Sequence, residues 1–75
     1  MDGKILAELD FVFSQLPPSY IEKIPEDMLI EAKTKKDIEH YNSFDESKPF
    51  TKQNISPKTL EILDKIFRKY FDVQV

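Results

Sequence analysis

Three observations predict an all-α fold for this chain. Apolar residues recur at helical spacing, prolines fall at the edges of those periodic runs, and charges and capping residues sit where helix ends need them. The expected architecture is a small bundle of three main helices plus a short helical turn, with a long loop before the C-terminal helix. Residues 1–75 are expected to form a single helical domain.

From Lys4 to Leu16, the residues Ile5, Leu6, Leu9, Val12, Phe13 and Leu16 fall on one arc of a helix that advances about 100° per residue. Pro17 and Pro18 end it, because proline offers no amide donor and its ring clashes with the preceding turn. Pro18 to Lys23 leaves room for only a short helical turn, since Pro25 disfavours helical geometry at Ile24. A further helix is expected from about Pro25 to Lys36. Glu26 and Asp27 meet the exposed amides of its first turn, and Lys33, Lys35 and Lys36 meet the carbonyls near its end.

Asp37 to Asn54 has no sustained helical period and is rich in turn formers: Asn42-Ser43, Asp45-Glu46-Ser47 and Lys48-Pro49. It reads as a long loop, pinned to the core by Tyr41, Phe44 and Phe50. Ser56-Pro57 then marks a helix start, with Ser56 as N-cap and Pro57 in the first helical position. The last helix is expected from about Pro57 to Phe71. Glu61 with Lys65, and Asp64 with Arg68, are acid-before-base pairs four residues apart on its surface.

Composition narrows the functional classes. A 75-residue chain builds one thin core, and with no cysteine and one histidine it has neither disulfides nor a zinc staple to reinforce it. Eleven basic and fourteen acidic residues give a net charge of −3, the wrong sign for broad phosphate neutralisation. At 40% hydrophobic residues the chain is expected to fold. Its apolar clusters are far shorter than the roughly 20 residues of a membrane span, and the first residues open no secretory pattern. A cytoplasmic location and no membrane association are expected.

Residue types suited to chemistry are few. His40 lies near Asp37, Glu39, Asp45 and Glu46, but the only glycine is Gly3, so the sharp turn of a calcium loop is missing. No metal site and no cofactor are expected. Ser43, His40 and Asp37 are the residue types of a hydrolytic triad, yet they lie within seven consecutive residues, whereas triads draw their members from separate elements. His40 is instead expected on an exposed or half-exposed loop, with no catalytic role. Two basic clusters, Lys33-Lys35-Lys36 and Lys65-Arg68-Lys69, are each accounted for by the C-terminal end of a helix.

Several segments carry a resemblance: Glu8 to Pro17 ending in Leu-Pro, Lys23-Ile24-Pro25 opening a helix, Asp45 to Pro49, and Gln53-Asn54-Ile55-Ser56 before an amphipathic C-terminal helix. Over most of its length the chain resembles a group of small uncharacterised helical proteins of low-GC Gram-positive bacteria and their mobile elements. Their Asp-Pro-Asn-Lys-Pro turn appears here as Asp45-Glu46-Ser47-Lys48-Pro49. Those relatives commonly continue past the aromatic residues of the last helix. The resemblance implies a helical fold and a bacterial or phage origin; it supplies no catalytic residues.

The remaining expectation is a non-enzymatic protein-binding module or small regulator, acting on a protein partner or by self-association, with nucleic acid disfavoured. The alternative is a nucleic-acid-associated or nucleic-acid-mimicking inhibitor encoded by a mobile element. Residues that break one-sided patterning locate the candidate surface. Phe11 projects roughly 160° from the centre of the first apolar arc, and Ile30 lies similarly far from Met28, Leu29 and Ala32. On the last helix, Leu60, Ile62, Leu63, Ile66, Phe67, Tyr70 and Phe71 span about 180°, wider than one core contact needs, with Ile62 and Ile66 at one edge. Two readings follow: the bundle wraps both sides of these helices, with the Asp37 to Asn54 loop covering the excess through Tyr41, Phe44 or Phe50, or Phe11, Ile30, Ile62 and Ile66 gather in one exposed patch as the protein-binding residues.

Overall fold

The computed structural model describes residues 2–48, 50–52 and 54–70, with the side chain of Tyr70 outside that description. Pro49, Gln53 and Phe71, which figured in the reading above, lie outside the described residues. All the regular structure within them is helical, in the order α1 (Gly3–Gln15), α2 (Pro18–Ile21), α3 (Glu26–Thr34), α4 (Ile38–Asn42) and α5 (Pro57–Tyr70).

Local chemistry sets the boundaries. Asp2 opens α1 by accepting the Lys4 amide at 2.9 Å, and Pro17 prevents the helix from continuing past Leu16. Pro18 is the first residue of α2, which lasts a single turn. Pro25 has an extended ψ of 133°, so α3 starts one residue later than expected, at Glu26. It also stops short of Lys36, because Lys35 leaves helical geometry at φ −116°, ψ 11°.

The segment read as a loop contains a helix of its own. Asp37 caps α4 by accepting the His40 amide at 3.0 Å, and one turn later Tyr41 and Phe44 pack on α1. The remainder is organised by Asn54, which is buried. Its side-chain carbonyl accepts the Asp45 amide at 2.9 Å, and its amide group donates to the carbonyls of Asp45 and Lys48, each at 2.7 Å. Phe50 does not help to pin this loop: it is 56% exposed.

α1 is the central element. Every residue from Ile5 to Phe13 is buried, the acidic Glu8 and Asp10 included, and α3, α4 and α5 pack around it. A helix enclosed on all sides has no solvent face for a misfit residue to occupy. That bears out the wrapped reading for Phe11 and corrects the exposed-patch one: Phe11 is 2% exposed and meets the edge of Phe44 at a ring-centroid distance of 4.8 Å. Ile55, Leu63 and Ile66 close the core from the α5 side.

Candidate functional site

Two features of the bundle could carry chemistry or recognition: a polar cluster around Glu8 and an apolar groove at the C-terminal end of α1.

Glu8 projects from the middle of α1 towards the N-terminus of α5. Its Oε1 accepts the Ser56 amide at 2.9 Å, while Oε2 accepts the hydroxyls of Ser56, at 2.8 Å, and of Thr59. Thr59 is fully buried and Glu8 is 3% exposed. A carboxylate in such a position is stabilised by charge-assisted bonds and by the positive end of the α5 dipole. Glu8 thus caps α5 from another helix. The cap expected from Ser56 alone is weak, since Ser56 Oγ lies 3.5 Å from the Thr59 amide and donates its own proton to Glu8.

His40, on α4, brings Nε2 to 3.4 Å from Glu8 Oε1 and sets its ring edge-on to Phe44. Glu8 lies between the Ser56 hydroxyl and the His40 imidazole. In a hydrolytic relay the imidazole lies between hydroxyl and acid, where it can take the hydroxyl proton. His40 also lines a depression of about 340 Å³ with Lys4, Asp37, Glu39 and Ser43. Asp37 and Ser43 both serve the α4 backbone there: Asp37 accepts the His40 amide, and the Ser43 hydroxyl donates to the His40 carbonyl at 2.6 Å. Among the described residues, no group of three or more His, Cys, Asp or Glu side chains is placed to hold a metal ion.

The second buried acid, Asp10, pairs with Lys36 at 3.0 Å, and the Lys36 ammonium lies 4.3 Å from the centre of the Tyr41 ring. This arrangement fastens the α3–α4 connection to α1 and occupies one cation of the first basic cluster. In the second cluster Arg68 is paired with Asp64 at 3.0 Å.

The groove lies where α1, α2 and α3 meet and encloses about 500 Å³. Its floor and walls are Phe13 and Leu16 of α1 and its end, Pro18 and Ile21 of α2, and Leu29 of α3. Asp10, Ser14, Glu22 and Lys33 complete the lining. It exists because the single turn of α2, bounded by Pro17-Pro18 and Pro25, is too short to cover the apolar surface between α1 and α3.

The expected protein-binding residues are not brought together on one surface. Phe11 and Ile66 are buried within the chain, Ile62 is partly buried against the core, and Ile30 is 54% exposed. The one-patch expectation fails because α1 and α5 bury their wide apolar faces inside the bundle. Ile30 remains outside, on the helix that forms one wall of the groove.

Sequence reasoning missed Glu8 and the groove. Glu8 had a signal: on the helical wheel it falls between the apolar arc of α1 and Phe11. The groove had none, since its residues come from three elements whose packing no periodicity specifies. The chain matches no family model, curated protein or solved structure against which it was compared. No helix among the described residues is long and apolar enough to cross a membrane.

Proposed function

We propose that this chain is a non-enzymatic protein-binding module that works through the groove between α1, α2 and α3. The observation that carries this reading is an open apolar surface on a small bundle, with a volume inside the range of about 300–1,000 Å³ typical of built binding sites. The polar cluster has a complete structural role in holding α4 and α5 to α1, which supports a reading without catalysis. The pairing of Lys36 with Asp10 and of Arg68 with Asp64 weighs against a phosphate-binding surface. An origin in bacteria or their mobile elements, and work in the cytoplasm, belong to the same proposal; the origin rests on the resemblance of the segments around Pro17, Pro25 and Ser56.

The test compares co-purification by the tagged chain with that by Ile21→Glu, which places a charge on the groove wall, and by Lys58→Glu on the exposed start of α5. Circular dichroism verifies that both variants fold. A protein retained by the wild type and Lys58→Glu but lost from Ile21→Glu is the expected result. A partner retained equally by all three refutes the groove as the working surface.

A further inference from the structure

The four polar residues lining the groove divide into two kinds. Asp10 is engaged by Lys36, and the Ser14 hydroxyl donates to the Phe11 carbonyl at 2.6 Å. Glu22 and Lys33 are exposed, and neither side chain has an ion-pair or hydrogen-bond partner among the described residues. They stand on different walls, Glu22 at the end of α2 and Lys33 in the last turn of α3. The groove therefore has an apolar floor with one unpaired anion on one side and one unpaired cation on the other.

Its walls are helices, and the described residues include no strand. An extended peptide would find no sheet edge to pair its backbone with and would leave its amides and carbonyls to water, whereas a helix satisfies its own; the helical walls therefore favour a helix. On α3, Leu29 and Lys33 face the groove, and Ile30 lies about 60° beyond Lys33, away from buried Ala32. The exposed Ile30 thus extends the apolar contact over the crest of that wall.

From this we infer that the occupant is an amphipathic helical segment of another protein. It lays an apolar row at i, i+3 or i+4, and i+7 along the groove, with a basic side chain towards Glu22 and an acidic one towards Lys33. The two charges read the polarity of the docked helix, since the reversed orientation sets like charges against each other. This inference rests on the groove being the docking surface and adds to it the chemistry of the partner.

The test selects a library of helical peptides, displayed on phage, against the immobilised chain and against the Glu22→Lys/Lys33→Glu double variant. Both substitutions fall on exposed, unpartnered side chains, so the double variant keeps the wild-type circular dichroism spectrum. The wild type is expected to enrich peptides with an apolar row flanked by a base on one side and an acid on the other. The double variant enriches the same row with the charges exchanged. A peptide selected on the wild type binds the double variant about tenfold more weakly or worse, and amide shifts on titration fall on Ile21, Glu22, Leu29, Ile30 and Lys33.

Enrichment of apolar peptides whose charges are indifferent to the swap overturns the polarity inference and leaves the groove as a docking surface. Shifts confined to another face, or no enrichment at all, overturn the inference together with the groove reading. Sedimentation of the chain at twice its 8.9 kDa mass, with these same amides protected, overturns it in favour of a second copy.

Discussion

Replacing Glu8 with alanine is expected to unfold most of the protein. The substitution removes a charged acceptor from three buried or half-buried donors, the Ser56 amide and the hydroxyls of Ser56 and Thr59, while the donors themselves stay. Donors stranded in this way cost about 1–3 kcal/mol each, and because the Ser56 and Thr59 hydroxyls lie 3.0 Å apart and can still bond each other, the loss is about 2–6 kcal/mol in all. A domain of this size without disulfides has roughly 3–5 kcal/mol of net stability, so the loss is comparable to the whole. Glu8→Gln is the milder perturbation. Its carbonyl can take the Ser56 amide and the two hydroxyls can turn to accept from its amide group, which limits the cost to about 1–2 kcal/mol. At about 4–8 °C per kcal/mol, that lowers the melting temperature by roughly 5–15 °C with the fold retained. Urea denaturation followed by far-ultraviolet circular dichroism measures both variants. Adding Ser56→Ala and Thr59→Val to Glu8→Leu removes the stranded hydroxyls and should recover much of the loss. If Glu8→Ala unfolds within about 0.5 kcal/mol of the wild type, the buried carboxylate does not hold α5 to α1.

Three further outcomes follow from other contacts. Asn54→Ala releases three hydrogen bonds from the 45–48 turn and should cost about 2 kcal/mol; hydrogen exchange at the Asp45 amide should accelerate, and unchanged protection there would refute the clamp. A double-mutant cycle of Asp10→Asn with Lys36→Met should return a coupling of about 1 kcal/mol in denaturation experiments, above the median for exposed pairs because Asp10 is buried. The Asp45 carboxyl is held below its usual value by the Ser47 hydroxyl, the Ser47 amide and the charge of Lys48, in that order. With the folded value depressed, the stabilising contribution is present above the unfolded value and is lost as pH falls through the folded one, below about pH 4. A carbon-detected titration should find the Asp45 midpoint lower than in an unfolded peptide and should find it raised in Ser47→Ala.

The helices that carry an apolar period of several turns were legible in the sequence, and their ends were legible where proline marks them, Pro17 after α1 and Pro57 at the start of α5; the Asp2 cap of α1 was not read. α4 was not. A helix of five residues is too short to show a period, and it owes its start to the Asp37 side chain and its packing to the contact of Tyr41 with Phe11 on a distant element. The wheel alone left Phe11 open between an exposed patch and a wrapped core, because it assumes one buried face, whereas α1 is surrounded by α3, α4 and α5. Ile30 fell outside, as its position opposite Ala32 implies. Glu8 shows the converse limit. An acid beside an apolar arc reads as solvent-facing until its partners are known, and those partners lie 48 and 51 residues away along the chain.

That separation has a consequence for how the protein is made. On the ribosome α1 emerges before α5, and the groups that satisfy Glu8 belong to Ser56 and Thr59, which arrive 48 and 51 residues later. At a synthesis rate of about 5–20 residues per second, the nascent helix waits several seconds with a carboxylate that cannot yet be buried without large cost. During that interval water solvates Glu8, on the flank of α1 that later meets His40 of α4 and the start of α5. Completion of the bundle is thereby tied to the delivery of α5, so a nascent chain cut short before Ser56 retains an unsatisfied acid in its central helix.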